Sequence, residues 1–299
     1  MNSADDDSKT VGLLSVIIPI GAMKGKLANF YQTIESTENR LVEFIVVIDD
    51  KKDGTAEEVR NFFISRRLSV SVVILQQAFN GPGPARNAGL HAARNPWIIF
   101  CDSDDILRVE QVCEELKEVP SEDEYVIGNF SIKSRNSEKL NRSSSLVQIA
   151  LNPGIWRIAI RRSKALTGVF PNLLLAEDQV YLVRLGLFNA KPRFSKQLFY
   201  TYHVSVDGQL SSRVLNKEHI INAMIEINKY SKTLSTLSRE NFYVGIILSR
   251  LSATYLRMNR KHEKHLPKEI FSMNTPKALG FVLGTLLIIG SATLTSGKQ

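Results

Sequence analysis

Asp102-Ser103-Asp104-Asp105 closes an apolar run, Trp97-Ile98-Ile99-Phe100-Cys101. An uninterrupted run of that length between polar residues reads as a fully buried strand. Desolvating a charge is costly, so carboxylates belong at the strand's end, where it meets solvent or a cation. The spacing Asp-x-Asp suits a hard divalent metal, which takes oxygen ligands and commonly bridges a carboxylate and substrate phosphates. The same cluster also suits a turn or a helix cap. Two further acid pairs draw attention: Asp49-Asp50 after the apolar Phe44–Ile48, and Glu177-Asp178 at the start of a helical pattern that runs to Leu187. The second pair is also what a solvated helix N-terminus favours, because acids complement the helix dipole there.

The elements that must hold these acids follow from the apolar pattern. Leu13–Ile20, Phe44–Ile48, Val70–Leu75 and Trp97–Cys101 read as strands. Pro19 should end the ladder of the first, since proline lacks the backbone donor. Helices are expected over Leu27–Ile34, from Thr55 (with Glu58 at capping-box spacing), and from Ala85 to about Arg94 after a Gly81-Pro82-Gly83-Pro84 loop. Strands alternating with helices imply a parallel sheet covered on both faces. Ligands bind such sheets outside the carboxyl ends of the strands. Asp49, Asp50, Asp102 and Asp104 all fall at such ends.

Further along, a helix over about Val109–Val119 and strands over Tyr125–Ser131, Trp156–Ile160 and Leu198–Val204 are expected. The polar stretch 134–145 reads as a mobile surface loop, and Asp207-Gly208 as a turn. Residues 216–265 are helical in pattern, with Val244, Ile247, Leu248, Leu251 and Tyr255 on one face and Arg250, Arg257, Lys261 and Lys264 opposite. Residues 278–297 carry no charge until Lys298 and include Phe281–Ile289. A helix of that length is about 30 Å long, so spanning, interfacial and core helices all fit, with membrane contact favoured by the basic flank upstream. Gly280-x-x-x-Gly284 fits a helix-packing face.

At 299 residues, 43% apolar and 23% charged, the chain is ordinary for a globular protein, which argues against general disorder. The net charge is +8, and residues 211–277 hold 12 Lys/Arg against 5 Asp/Glu. Such a segment suits an anionic surface, and no recognition motif accompanies it that would point to nucleic acid. The two cysteines, Cys101 and Cys113, make neither a disulfide framework nor a zinc site. Residues 1–10 read as a disordered tail, and polar residues 1–9 lack the pattern of a secretory signal, so a cytoplasmic location at the cytosolic face of a membrane is expected.

Taken together, Ser15-Val16-Ile17-Ile18-Pro19, Val46-Val47-Ile48-Asp49-Asp50, Ala85-Arg86-Asn87-Ala88-Gly89 and Asp102-Ser103-Asp104-Asp105 resemble the family 2 glycosyltransferases with a GT-A fold. The resemblance covers residues 13–115 in detail and continues loosely through Trp156–Ser163, Glu177-Asp178 and Tyr200–His203. It implies a Rossmann-like, mostly parallel central sheet flanked by helices, with a helical C-terminal extension. On this reading 11–210 is the GT-A domain, with a nucleotide-binding half (11–115) and an acceptor half (120–210). A basic helical extension (211–277) and an apolar segment (278–299) follow.

The resemblance also implies roles. Pro19 and Asp50 would hold the nucleobase, with Asp50 accepting the uracil ring N–H. Arg86 would lie near the base or diphosphate, Asp102 and Ser103 at the ribose, and Asp104 would ligate Mg²⁺ or Mn²⁺, with His203 reaching the metal or diphosphate. Asp105 reads as a helix cap. Asp178 would be the catalytic base, with Glu177 assisting or binding the acceptor. The implied reaction is inverting transfer from a UDP-sugar to a glycan or lipid-linked acceptor in cell-surface polysaccharide synthesis. Alternatives are a nucleotidyltransferase of similar fold and a non-catalytic nucleotide-sugar-binding protein. Gly21-Ala22-Met23-Lys24 stands where the family usually has a Tyr-Asn pair. The Gln-x-x-Arg-Trp signature of processive synthases is absent, so a single addition is expected.

Overall fold

The computed structural model describes residues 12–49, 51–79, 81–204, 217–236, 238–258 and 273–296. The readings of the N-terminal tail, Asp50, the Asp207-Gly208 turn, Lys261 and Lys264 lie outside these residues. The first half alternates as expected: β1 (Leu14–Ile20), α1 (Ala28–Glu35), β2 (Val42–Asp49), α2 (Thr55–Ser65), β3 (Ser71–Gln77), α3 (Pro82–Ala92) and β4 (Trp97–Phe100). Then come β5 (Ile106–Leu107), α4 (Val109–Lys117), β6 (Tyr125–Lys133), β7 (Glu138–Asn141), α5 (Leu146–Leu151), β8 (Ile158–Arg161), α6 (Arg162–Ala165), α7 (Glu177–Arg184) and β9 (Arg193–His203). Helices α8 (Lys217–Ser231), α9 (Arg239–Met258) and α10 (Thr275–Ser296) complete the described chain.

The sheet runs β3-β2-β1-β4-β8-β6-β9-β5, with β7 paired to β6. The pairs β3–β2, β2–β1 and β1–β4 are parallel, whereas β8 is antiparallel to both β4 and β6. β1, β2 and β4 are almost wholly buried, as continuous apolar runs demand when helices cover both faces. One apolar cluster lies on each side of this sheet, and residues alternate between them: Ile17 and Ile45 to one, Val16 and Phe44 to the other.

Several local expectations are corrected. Pro19 does not end β1; it stays in register opposite Val47. It is tolerated because β4, the other neighbour, has already stopped opposite Ile17. Thr55 is the first helical residue of α2, after a left-handed Gly54. The cap comes from Asp53, which accepts from the Thr55 N–H and hydroxyl at 3.1 and 2.7 Å. Glu58 accepts instead from Gly25 N–H and Tyr31 O–H, tying α2 to the loop after β1. α3 begins at Pro82, because proline suits the first helical position, so the Gly/Pro stretch is already helix. The polar stretch 134–145 carries strand β7, hairpinned on β6. Trp156 lies in a 3-10 turn, Ile155–Arg157, before β8.

The C-terminal helices form a layer against the core. Val244, Ile247, Leu248, Leu251 and Tyr255 of α9 are buried as the periodicity predicts. α10 lies along α9 at close backbone approach: a methyl group at Gly280 would overlap the Phe242 carbonyl, and one at Gly245 the Lys277 carbonyl. Lys277 is buried, its ammonium donating to Asn228 Oδ1 (3.0 Å) and Ser231 Oγ (2.7 Å) of α8. The opposite face of α10 presents Leu279, Val282, Leu286 and Ile289, each 56–61% exposed. Among the described residues no helix is long and apolar enough to cross a membrane; α10 packs on α9 and carries an apolar outer face. Gly280→Leu is expected to cost about 2 kcal/mol by overpacking this contact, seen as a lower urea midpoint and faster proteolytic release of α10.

Candidate active site

The carboxyl ends of β1, β2 and β4 open into a cleft of about 1090 Å³. Pro19, Asp49, Lys51, Arg86, Asp102, Ser103 and Asp104 line one part of it. Trp156, Tyr202, the N-terminus of α7 (Ala176–Gln179), and His219 and Asn222 of α8 line the rest. The structure therefore brings together Pro19, Arg86, Asp102, Ser103, Asp104, Glu177 and Asp178, whose sequence positions span some 160 residues. Asp50 lies outside the described residues. His203 is not among the lining residues.

Arg86 is the centre of the polar wall. It lies in the second turn of α3, buried, with its guanidinium over the Phe170 ring. Nη2 donates to Asp102 Oδ1 (2.7 Å) and Nη1 to Glu177 Oε1 (2.5 Å), so one cation ties the end of β4 to the start of α7. Burial works against its charge, but Asp102, Glu177 and Asp178 hold the guanidinium protonated beyond its ordinary range. The rest of the Ala85–Gly89 motif serves the same junction. The Asn87 amide exchanges two hydrogen bonds with the Phe170 backbone (2.9 and 3.0 Å), which fixes the segment leading into α7. Gly89 has no room for a side chain against Ile17 of β1.

The two acids of α7 are not equivalent. Glu177 is buried and engaged by Arg86. Asp178 faces the cleft, where Oδ1 accepts only the Gln179 N–H (2.8 Å) among the hydrogen bonds described. Burial, then the neighbouring Glu177, pushes its carboxyl up to about 7, while Arg86 and Arg250 pull against that rise. A carboxylate near neutral pKa beside a cleft is suited to proton transfer. Ala176, just before it, adopts a left-handed φ of 59°, a conformation rare for a residue with a Cβ.

The acids after β4 also divide. Asp105 does not cap a helix, since Arg108 occupies the N-cap of α4. It is fully buried, accepting from Tyr200 O–H (2.9 Å) and His203 N–H (2.6 Å). Burial, with Asp104 and Asp102 nearby, pushes its carboxyl well above the usual range. The Tyr200 oxygen in turn accepts from Asp102 N–H (3.1 Å). The His203 ring lies beside Asp105, with Nδ1 3.8 Å from Oδ1, and burial lowers its pKa. Asp104 reaches the cleft and its carbonyl accepts from Asn29 of α1. Among the described residues no three His, Cys, Asp or Glu side chains gather into a metal cage. Two strand-end carboxylates facing an open cleft fit a hard cation that takes its other ligands from phosphates and water.

Sequence reasoning missed Tyr200, Asn87, Gln179, His219, Asn222 and Arg250. The stretches containing Asn87 and Tyr200 were the available signals; the others depend on which helix folds back onto the cleft. Arg250 is the clearest case. The helical pattern put it on a solvated basic face, whereas its guanidinium donates to the side-chain oxygen of Gln179.

A family model described as Glycosyl transferase family 2 matches residues 15–172. A poly(ribitol-phosphate) beta-glucosyltransferase from Bacillus spizizenii is 23% identical over 72% of this chain and 36% of its own length. The succinoglycan biosynthesis protein ExoO of Rhizobium meliloti is 28% identical over 63% of this chain and 59% of its own. The chain thus spans no more than about two thirds of the length of the curated relatives it matches. Among solved structures, residues 1–349 of Staphylococcus aureus TarS in complex with UDP-GlcNAc superpose with a TM-score of 0.65 at 20% identity, covering 84% of this chain and 76% of that one. A mannosyltransferase from Pyrobaculum calidifontis in complex with GDP-Man and Mn²⁺ gives a TM-score of 0.52 at 14% identity, covering 92% and 80%. These likenesses establish the glycosyltransferase GT-A fold. Arg86→Met would leave Asp102 and Glu177 without their cation, and is expected to cost about 3 kcal/mol or more in urea unfolding.

Proposed function

The chain belongs to glycosyl transferase family 2, and from that premise we propose that it transfers a sugar from a UDP-sugar to a hydroxyl of a glycan or lipid-linked acceptor in cell-surface polysaccharide synthesis, with inversion at the anomeric carbon. One observation carries this reading. A single cleft sets strand-end acids Asp102 and Asp104 on one wall and Asp178 on another. Pro19 and Asp50 are assigned to the nucleobase, Asp102 and Ser103 to the ribose. Asp104 would hold Mg²⁺ or Mn²⁺, with its carboxylate and the diphosphate as ligands, and the ion would act as a Lewis acid on the leaving diphosphate. His203, whose backbone N–H is held by Asp105 at the strand end, is assigned to the metal or diphosphate.

Asp178 takes the proton from the acceptor hydroxyl as that oxygen attacks the anomeric carbon. The bond to the UDP oxygen breaks on the opposite face, and one displacement inverts the configuration. Glu177, engaged by Arg86, holds the wall against which the acceptor lies. The UDP-GlcNAc complex of TarS supports a uridine nucleotide, and the relatives that act on poly(ribitol-phosphate) support a polymer acceptor. A nucleotidyltransferase would not need Asp178 at the cleft, and a non-catalytic binding protein would need neither it nor Asp104.

The purified chain is expected to release UDP from a UDP-sugar in the presence of Mn²⁺ and an acceptor. Asp104→Asn should abolish the metal dependence of UDP binding in calorimetry. Asp178→Asn should keep UDP binding and lower kcat by about a thousandfold, within the range for loss of a general base. The base works ionised and its carboxyl is raised to about 7, so kcat should climb as pH rises through 7 and level off above it. Turnover by Asp178→Asn at the wild-type rate would remove it as the base.

We also assign the C-terminal layer to a membrane surface on the cytosolic side. The apolar outer face of α10 and the basic residues Arg257, Arg260, Lys261, Lys264 and Lys268 that precede it in sequence support this reading. The chain should cosediment with vesicles containing phosphatidylglycerol and less with pure phosphatidylcholine. Leu279→Glu with Leu286→Glu should abolish the difference.

A further inference from the structure

Arg250 is separated from Gln179 by 71 residues, yet it enters the catalytic wall from behind. It projects from α9 beside the stripe of Val244, Ile247, Leu248 and Leu251, which belong to the core. Its Nη2 donates to Gln179 Oε1, while its buried Nε has no hydrogen-bond partner among the described residues. Gln179 is buried and lines the cleft, and its backbone N–H is the donor to Asp178. Arg250 and Asp178 are thus joined through one residue. An arginine buried against a neutral amide is an expensive arrangement for fold stability alone. Burial lowers the Arg250 pKa, and Asp178 offsets part of that cost by favouring the protonated guanidinium.

We propose that Arg250 is a positioning residue for the catalytic base: from the helical layer it fixes the first turn of α7 through Gln179. The C-terminal helices then complete the active site, and do not merely follow the transferase domain. The groups facing Asp178 are Glu177 on its own helix, Arg86 from α3, Asp102 from the end of β4 and Arg250 from α9. His219 of α8 lines the same cleft. Arg86 is occupied by two acids, so Arg250 is the cation from the helical layer that favours the ionised base. Its removal raises the Asp178 pKa further, and the base is then protonated over a wider range of pH.

The inference rests on the transferase reading with Asp178 as base, and the experiment separates the two. UDP binding by calorimetry and UDP release against pH are measured for wild type, Arg250→Met, Arg250→Lys and Gln179→Met, with the UDP-sugar that supports wild-type turnover. In Arg250→Met, UDP affinity and donor KM should stay within twofold, kcat at pH 7 should fall about tenfold, and the acid limb should move up by about one pH unit. Arg250→Lys should return the limb towards wild type. Gln179→Met breaks the link but keeps the charge, so kcat should fall with donor affinity kept. It decides the matter if Arg250→Met does not fold: an unchanged kcat in Gln179→Met overturns the proposal. So does an unchanged pH profile in a folded Arg250→Met. A wild type inert towards every UDP-sugar would overturn the transferase reading and this one together. Wild-type turnover with unaffected variants overturns this one alone.

Discussion

The Arg86 guanidinium, held between Asp102 and Glu177, is the interaction on which the site depends. It joins two elements that arrive from opposite parts of the chain, the end of β4 and the start of α7. Without a cation between them, the acids would repel across the cleft and each would lose a buried partner. The surrounding packing serves this contact. Phe170 lies under the guanidinium and stacks on Tyr181 of α7 at 3.8 Å, and Asn87 grips the Phe170 backbone. The bridge sets the width of the cleft and leaves Asp178 as the acid not committed to Arg86.

A second buried network supports the acids on the other side. Tyr200 sits between Asp102 N–H and the Asp105 carboxylate, and its ring stacks on Trp156 at 4.4 Å. Asp105 therefore works inwards. It anchors β9 to the end of β4 and leaves Asp102 and Asp104 to face the cleft. This explains how three acids can crowd within four residues: one is withdrawn into the core, where burial disfavours its charge and two donors meet its carboxyl.

The C-terminal helices join the site to the outer surface. α8 contributes His219 and Asn222 to the cleft and, through Asn228 and Ser231, receives Lys277 of α10. α9 carries Arg250 on one side and meets α10 at Gly245 on another. The same three helices thus touch the cleft wall, the core and an exposed apolar face. A load on α10 has a packed route to α7, which a flexible linker would not supply.

What the sequence by itself determined was the parallel half of the sheet and the acids at its strand ends. Continuous apolar runs such as Phe44–Ile48 read as a buried strand, and a charge that follows such a run must lie where the strand leaves the core. Local chemistry also identified the Gly280/Gly284 packing face and the apolar stripe of α9. Only the tertiary structure decided which acid is buried and which faces the cleft. Asp105 and Asp104 are neighbours of one residue type, and nothing local separates the buried one from the exposed one until Tyr200 and His203 arrive. The hairpin of β7, the capping by Asp53 and the inward turn of Arg250 were hidden for the same reason. Each depends on a partner supplied by an element packed against it, and periodicity reports which face of a helix is apolar, not what a single charge on its other face will meet.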